Sequence, residues 1–408
     1  MSKGDSQPQN SGGLHPFELL VACARTHLDQ GNEARLVAVA QRVTCWDSIV
    51  TMAHKHGLLP LLYRHIHATC LDIVPRPVMD ELAARARDLA RRNLRMTAEL
   101  IRLLGLLEEA GVAAVPFKGP SLAATVYGNL SLRQFADLDI LVTETDLAKA
   151  QAVLVGEGYT ANYDFSPAVS RSVQRYAHES LFWRDDGMIV ELQWQFAAPF
   201  LRYSLAPDDI RRRLVTVPLG GRLVPAFAPD DLLDYLCFHG GLHTWGRLGW
   251  VCDVAELLRT YPRLDAEAVL QRARSAGRFR SVALGLLLAG ELLDAPLPAG
   301  LLRRLQAQQA LRSLADQVHA RLSHPERREA GIFWVTRFHM RLRDTALQRA
   351  RMGLMLLTAP QEADLLSLPI TPRFRALYAV VRPSRLLVKW LTGKYRAPAA
   401  DGEIMPVP

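Results

Sequence analysis

The sequence contains little cysteine, and its cysteines show no pairing pattern. Five are scattered along 408 residues and no two are spaced as C-x-x-C; they are Cys23, Cys45, Cys70, Cys237 and Cys252. An odd, scattered set indicates neither a disulfide framework nor a zinc knuckle. We therefore expect reduced thiols in the core.

Long apolar runs are absent as well. The first residues, MSKGDSQPQNSGG, are polar, so we expect no secretory signal peptide and a short disordered tail. The longest apolar stretches, Val282 to Gly290 and Met352 to Leu357, stop well short of the ~20 residues that a membrane span needs. These features predict a cytoplasmic protein without a membrane span.

The overall composition is that of an ordinary globular protein. Hydrophobic residues make up 49% and charged residues 22%, so neither a disordered nor a fibrous class is indicated. The length suits two or three packed units. The net charge of +8 favours anionic partners such as nucleotides or nucleic acid, but arginine scattered over an Ala/Leu/Arg-rich sequence gives the same number.

The spacing of apolar residues divides the chain into helical and mixed parts. Apolar residues recur at three- and four-residue intervals up to Gly111, then form short runs separated by turn residues up to Phe227, and are again helical in pattern after Pro229. We predict an α+β protein with a small mixed-sheet core between two helical domains. The predicted boundaries are 1–15 for a disordered tail, 16–110 for the N-terminal helical domain, 111–228 for the core, 229–395 for the larger C-terminal helical domain and 396–408 for a tail.

Two acids lie two residues apart in a predicted strand. From Asp137 to Val142 the acids alternate with aliphatic residues, which places Asp137 and Asp139 on one face of the strand. Paired carboxylates of this kind hold Mg²⁺ together with phosphate oxygens and water. A surface strand with two solvated acids has the same pattern, so the motif alone leaves both interpretations open.

A predicted hairpin supplies a third acid. The runs 180–184 and 188–195 are separated by Asp-Asp-Gly, a strong hairpin signal, and Glu191 and Gln193 share one face of the second run. We expect Glu191 to complete the metal-ligand set or to accept the proton of an acceptor hydroxyl. His178 and Glu179 either line the same cleft or are solvated residues at the strand end.

A strand-to-helix turn precedes the acids. In Lys118-Gly119-Pro120-Ser121 the small glycine lets backbone N–H groups approach a phosphate at a helix N-terminus. Pro120 removes one of those donors, and an ordinary turn has the same composition. Arg133 is expected to pair with a phosphate or, as a structural salt bridge, with Asp137.

Several of these segments resemble a known family. The stretch FKGPSLAATVYGNLSLRQFADLDILV, followed by IVELQWQF and LCFHGGLHTWGRLGWVCDVAELL, is similar to the poorly characterised bacterial nucleotidyltransferase family within the DNA polymerase beta-type superfamily. The segments AHKHGLLPLLYRHI and TAPQEADLLSLPITPRFRALYAVVRPSRLL are similar to it as well. The resemblance therefore extends from about Trp46 to Lys389.

The resemblance implies a metal-dependent transfer of a nucleoside monophosphate (NMP) from a nucleoside triphosphate (NTP) to an acceptor, with release of pyrophosphate. It implies that Asp137 and Asp139 bind Mg²⁺ or Mn²⁺ and that Glu191 is the third acid. Lys118, Gly119 and Ser121 fall where the superfamily has its Gly-Ser phosphate turn.

Two positions depart from the family pattern. The turn has Gly-Pro-Ser, which puts phosphate binding in doubt, and the strand that usually contains E-L-H-W here contains E-L-Q-W. Because Gln193 cannot titrate, any acid–base role of that position is lost.

A later helix carries two histidines four residues apart. We assign His239 and His243 to helix packing or to a cleft wall against the nucleotide, since the third ligand and the glutamate of an H-E-x-x-H zinc site are missing. The same segment offers a stacking surface and a phosphate contact, or belongs to the core, through Trp245, Arg247, Trp250 and Asp253.

Basic residues cluster at 211–213 and between 382 and 396. They favour nucleic acid or a phosphorylated partner. The second cluster also fits an amphipathic helix that packs on its own protein with solvated basic residues outside, or that binds a membrane surface.

The predicted function is nucleotidyl transfer to an unidentified hydroxyl-bearing acceptor, which is a small molecule, peptide, protein or RNA. The alternative is a noncatalytic partner that binds nucleotide or peptide in a biosynthetic or toxin–antitoxin-like complex. The presence of all three acids argues for the enzyme, whereas the Gly-Pro-Ser turn and Gln193 argue for the binding module.

Overall fold

The structure is a computed structural model that describes residues 16–162, 177–198, 201, 206–324, 331–358 and 381–384. Both predicted tails and most of the chain after Thr358 lie outside the described residues. The second basic cluster lies largely outside them too. In the described part, no helix is both long and apolar enough to cross a membrane.

Helices dominate the fold and flank one small sheet, which confirms the predicted α+β class. In the N-terminal part they are α1 Pro16–Cys23, α2 Gln30–Ala40, α3 Trp46–Lys55, α4 Leu59–Thr69 and α5 Arg76–Glu109. Around the sheet they are α6 Gly119–Thr125, α7 Leu147–Gly156 and α8 Pro207–Arg211. The C-terminal part has α9 Pro229–Leu242, α10 Leu248–Thr260, α11 Ala266–Ser275, α12 Phe279–Leu293, α13 Ala299–Gln306, α14 Gln309–Ser323, α15 Ile332–Leu342 and α16 Ala346–Thr358.

The main sheet has five strands in the order β1-β2-β5-β4-β3. They are β1 Val115–Pro116, β2 Leu138–Leu141, β3 Thr160–Ala161, β4 Glu179–Trp183 and β5 Ile189–Gln193. β2 and β5 are parallel and the other pairs are antiparallel. β2 and β5 are therefore direct neighbours, and side chains at paired positions on them share one face of the sheet.

The predicted hairpin is present, with β4 and β5 joined by the turn at Gly187, whose φ is +81°. The run of residues 222–227 predicts one last strand of the core, but the structure has a second hairpin there. β6 Val215–Leu219 and β7 Arg222–Ala226 pair around two glycines with positive φ, Gly220 and Gly221. The hydrophobic pattern does not predict β6, because most of its side chains are exposed and the strand has no buried apolar face.

Two helix ends test the predicted capping. Gly111 follows α5 with a φ of +71°, which confirms the predicted stop. The sequence Pro229-Asp230-Asp231 predicts a helix start with an acid at the N-cap, and that position is wrong. Ala228 is the N-cap of α9, Pro229 is the first helical residue, and Asp230 and Asp231 lie in the first turn. Proline suits that position because its missing N–H has no partner within the helix there.

Buried apolar side chains form two clusters. One joins the N-terminal helices to α9, α10, α12 and α14. The other lies between the main sheet, α7 and the second half of α5, where Met96, Leu100 and Leu107 are buried as their spacing predicts. The division into three domains stays a prediction. The cleft described next lies between the sheet and α9–α10.

Candidate active site

The parallel pairing of β2 with β5 brings the predicted acids together. Asp139 lies directly opposite Glu191, while Leu138 and Ile140 pair with Val190 and Leu192 in the core behind them. Asp137, Asp139 and Glu191 all line one cleft, with a cavity volume of about 210 Å³. The alternation of acidic and aliphatic residues predicts one acidic face on each strand, and this prediction is confirmed. Both acidic faces line the same cleft.

An amide and an ammonium group connect these acids. The Nε2 of Gln193 is 3.1 Å from a Glu191 carboxylate oxygen and donates to it, and it also donates to Asp139 Oδ1 at 3.4 Å. The Nζ of Lys118 is 2.5 Å from the same Asp139 oxygen. Gln193 therefore bridges two carboxylates as a donor where the family pattern has a histidine.

Burial dominates the electrostatics of the cleft. It raises the pKa of Asp139 to about 6, although the Lys118 ammonium opposes the rise. It also raises the pKa of Glu191 well above its ordinary value, and the charges of Asp137 and Asp139 add to this effect. Burial, the largest single effect, lowers the pKa of Lys118, but the charges of Asp139, Tyr235, Glu191 and Asp137 together raise it well above the usual range. The positive charge near these carboxylates is therefore too small to balance their negative charge.

The turn that carries Lys118 is set by Gly119. Its φ is +45°, and a Cβ added there would lie 3.2 Å from the backbone oxygen of Asp137. Glycine is therefore required both by backbone conformation and by the close approach of the next strand. Lys118 and Gly119 line the cleft as predicted.

Ser121 does not line the cleft, contrary to its predicted place in a phosphate turn. It is buried in the first turn of α6 and lines a separate, mainly apolar cavity together with Thr125 and Phe227. The extra residue Pro120 accounts for the difference, because it lies between Gly119 and Ser121 in the first turn of α6 and moves the hydroxyl onward around the helix.

Arg133 lines the cleft but pairs with Asp253, 120 residues further along the chain. Its Nε and Nη2 donate to the two carboxylate oxygens of Asp253 at 2.8 and 2.9 Å, so the predicted pairing with Asp137 is wrong. Tyr127 donates a further hydrogen bond to Asp253 at 2.7 Å. Asp253 lies on α10, and this buried network fixes the core loop to the C-terminal helices.

Aromatic and histidine rings form the wall opposite the acids. On α9 the rings of Tyr235 and His239 stack with centroids 5.9 Å apart, and His239 and His243 are 4.5 Å apart. Trp250 contacts both histidines, and the guanidinium of Arg247 lies over Trp250 at 5.6 Å. Tyr235 was missed, although it stands four residues before His239 on the same helix face.

The two histidines are uncharged at neutral pH. Burial, together with the nearby Lys118 charge, lowers the pKa of His243 to about 3 and that of His239 well below its ordinary value. Neutral rings of this kind offer a flat surface and a nitrogen acceptor to a bound molecule. Both residues line the cleft, which agrees with their predicted place in its wall.

A glycine and a tryptophan hold this wall in place. A Cβ added at Gly240 would come within 2.4 Å of the ring of Trp245, so the tryptophan packs directly on the backbone of α9. Thr244 and Trp245 both have φ of +53°, a strained conformation for residues other than glycine. Trp245 is fully buried and belongs to the core.

His56, which follows α3, connects the N-terminal helices to the cleft wall. Its Nδ1 accepts a hydrogen bond from the N–H of Leu248 at 3.1 Å, so its Nε2 carries the proton and donates to the carbonyl of Leu322 at 3.1 Å. Its own carbonyl accepts from the N–H of Gly249 at 2.9 Å. The start of α10, near Trp250, is thereby anchored to two distant helices.

The rim of the cleft carries two more candidates. His178 and Glu179 both line it, and their side chains lie 3.4 Å apart. Their exposed fractions are 26% and 38%, so they stand at the boundary between cleft and solvent. Both predicted places therefore apply, since these residues line the cleft and also stand at a solvated strand end.

The donor chemistry of the cleft suits a hard divalent cation. Carboxylate oxygens are the ligands that Mg²⁺ and Mn²⁺ prefer, and these acids are buried side by side with too little positive charge. Within the described ranges, however, no three His, Cys, Asp or Glu side chains are grouped closely enough to hold a metal ion as they stand. Lys118 already contacts Asp139 from within this group.

Comparison with known proteins identifies the class. The family described as "Uncharacterised nucleotidyltransferase" matches residues 43–294, more than half of the chain, so this protein belongs to that family. The match confirms the family predicted from the sequence. It ends well before Lys389, to which the sequence resemblance extends. No curated protein matches the chain.

Two solved structures are similar at a distant level. The solution structure of the antibiotic-resistance factor ANT(2'')-Ia shares 13% identity and a TM-score of 0.33, covering 47% of this chain and 96% of that chain. The crystal structure of an antigenic nucleotidyltransferase-like protein from Paracoccidioides brasiliensis shares 12% identity and a TM-score of 0.31, covering 53% of this chain and 97% of that chain. Likeness at this level says nothing about the substrate of this chain.

Proposed function

We propose that this protein transfers a nucleoside monophosphate from an NTP to a hydroxyl-bearing acceptor and releases pyrophosphate, in a reaction that depends on Mg²⁺ or Mn²⁺. The observation that supports this proposal is the register of the two parallel strands, which sets Asp139 against Glu191 at one cleft. Membership of a nucleotidyltransferase family supports the same activity.

Asp137, Asp139 and Glu191 would hold the divalent cation. When bound, such an ion neutralises phosphate charge and activates the attacking hydroxyl. The role of the chain is to present the three carboxylates on one rigid sheet, with hydrophobic residues packed behind Asp139 and Glu191. Gln193 keeps two of the carboxylates within hydrogen-bond distance of one amide.

Other residues of the cleft would bind the nucleotide. Arg133 is held by Asp253 through two of its three guanidinium nitrogens, and the group faces the cleft. Such a preorganised cation suits a phosphate. The rings of Tyr235, His239 and Trp250 provide a flat surface on which a base would stack. Binding on this wall would place the phosphates towards the acids on the opposite side.

The test is label transfer. The protein is incubated with each α-³²P-labelled NTP, Mg²⁺ and a fractionated cell lysate, and the species that acquires label is isolated. Asp139→Asn should abolish transfer because it removes a charge from the ligand set while keeping shape. The matched control is Asp185→Asn, an exposed turn residue outside the cleft, which should transfer label normally. Full transfer by Asp139→Asn would contradict the proposal.

One observation favours the noncatalytic alternative. Ser121 faces a different cavity, so the turn at Gly119 presents no serine hydroxyl to a phosphate in the cleft. The alternative predicts that a nucleotide stabilises the protein against heat equally with and without Mg²⁺ and that no lysate fraction becomes labelled. Stabilisation that requires Mg²⁺, combined with label transfer, supports the enzyme instead.

A further inference from the structure

The ammonium group of Lys118 lies within the acidic cluster, against Asp139. Its Nζ is 2.5 Å from Asp139 Oδ1, and only 12% of the Lys118 side chain and 1% of the Asp139 side chain are exposed. The charges of Asp137 and Glu191 act on the same ammonium group. The Lys118 ammonium group therefore neutralises part of the negative charge of a site with three carboxylates.

The other cationic side chains of the cleft are held elsewhere. Arg133 is bound through two nitrogens to Asp253 on α10. Arg247 lies over the ring of Trp250 on the opposite wall. Among the described residues that line the cleft, Lys118 is thus the cation paired with a candidate metal ligand.

We propose that Lys118 occupies the position of a divalent cation in the nucleotide-free protein and turns onto the phosphates of the NTP when the nucleotide enters, so that metal ion and nucleotide bind cooperatively. This inference rests on the proposed function. It adds that the metal ion binds tightly only together with the nucleotide. The metal ion alone binds weakly, because it must displace an ammonium group that already satisfies Asp139.

The structure supports a moving side chain on a fixed backbone. Gly119, packed against the backbone oxygen of Asp137, fixes the main chain next to Lys118. A lysine carries a compact charge on a flexible four-carbon stem, so its ammonium group can change partners by rotation within the cleft. The carboxylates then become free to bind a metal ion only when another anion accepts the ammonium group.

Lys118→Met tests the proposal because methionine has an unbranched side chain, only one atom shorter than that of lysine, and carries no charge. Free Mn²⁺ is counted by electron paramagnetic resonance without nucleotide, and nucleotide affinity is measured by calorimetry with a nonhydrolysable NTP analogue. The variant should bind Mn²⁺ about ten-fold more tightly than the native protein and the analogue about ten-fold more weakly. If Lys118 only contacted the phosphates, Lys118→Met would weaken binding of the analogue and leave the Mn²⁺ affinity unchanged.

Two controls separate charge from shape. Lys118→Arg keeps the charge and should leave the Mn²⁺ affinity close to the native value. Lys149→Met removes a charge from an exposed position on α7 and should change neither affinity. An unchanged Mn²⁺ affinity in Lys118→Met, in a native protein that binds Mn²⁺ with nucleotide, overturns this inference and leaves the proposed function standing. A native protein that binds no Mn²⁺ even with nucleotide refutes both.

A measurement on the native protein covers the case in which Lys118→Met does not fold. In protein labelled with ¹³C at the lysine ε-carbons, the Lys118 signal is identified by its loss in Lys118→Arg. It should shift when the analogue and Mg²⁺ are added together, and stay in place with a low concentration of Mg²⁺ alone. A signal that does not move with both present overturns the inference.

Discussion

Asp139 and Glu191 lie directly opposite each other on two parallel strands, although 51 residues separate them in sequence. The connection between the strands runs through α7, β3 and β4, so the pairing is a property of the sheet topology and not of a local motif. β2 carries Asp139, the residue just before it is Asp137, and the neighbouring β5 carries Glu191. The proposed chemistry depends on this pairing.

Glu191→Gln should lower nucleotidyl transfer by about 100-fold or more, because the amide cannot bind a cation or accept a proton as a carboxylate does. The fold should be retained, and the free energy of unfolding should stay the same or rise, since a buried charge near two other acids is removed. Label transfer and urea denaturation measure the two effects. Glu109→Gln, an exposed change at the end of α5, is the control and should alter neither.

Asp253→Asn should lower the free energy of unfolding by about 3 kcal/mol, because it leaves the buried Arg133 without its anionic partner. Tyr127→Phe removes one neutral donor from the same carboxylate and should cost only about 1 kcal/mol. Urea denaturation compares the two variants. Equal losses would show that the ion pair contributes no more than the hydroxyl.

The parts of the site that depend on short sequence patterns could be predicted from the sequence. Alternating acids and aliphatic residues define β2, and Asp-Gly defines the hairpin that contains Glu191, because side-chain alternation and turn preference act over a few residues. The helical spacing of His239 and His243 likewise places both rings on one wall.

The pairings between distant segments were not predictable in the same way. Arg133 and Asp253 are 120 residues apart, and nothing in either segment distinguishes this pair from a bond to Asp137. His56 also contacts Leu248 and Leu322, which are far away in sequence. The orientation of Ser121 depends on one proline, whose effect on the first turn of α6 emerges only in three dimensions.

Acidification should destabilise the protein between about pH 6.5 and pH 4, and His56 should contribute to this loss. Burial lowers the pKa of His56 to about 4, and the charges of Arg247 and Lys55 lower it further against the opposing bond to Leu322. Over this range the unfolded chain binds a proton at His56 and the folded chain does not, so the free energy of unfolding falls as the pH falls.

Denaturation in urea at a series of pH values measures this dependence. His56→Gln should be less stable than the native protein at pH 7, because the hydrogen bonds to Leu248 and Leu322 are disturbed, but its stability should fall less steeply between pH 6.5 and pH 4. The lowered pKa values of His239, His243 and His339 keep part of this slope in the variant, and the raised pKa values of Asp139 and Glu191 oppose it in both proteins. His27→Gln, at an exposed position, should keep the native slope. A native slope in His56→Gln would contradict the lowered pKa of His56.

Gly240→Ala should disturb the wall opposite the acids while leaving the acids themselves unchanged. The added methyl group would meet the ring of Trp245 at 2.4 Å, and this ring is fully buried, so either the ring or α9 must shift. Overpacking of this kind costs about 1 to 3 kcal/mol of unfolding free energy. Because His239 and His243 flank this contact, nucleotide affinity should fall while Mn²⁺ binding to the acids is preserved.

The matched control is Gly300→Ala, another helical glycine, where an added Cβ meets nothing within 4 Å. Alanine has the higher helix propensity, so this variant should be as stable as the native protein or gain up to about 1 kcal/mol, with unchanged nucleotide affinity. If Gly240→Ala lowers stability but leaves nucleotide affinity intact, the histidine wall does not bind the nucleotide and the base must stack elsewhere. If both fall together, the packing of one tryptophan against one glycine sets the surface on which the nucleotide is held.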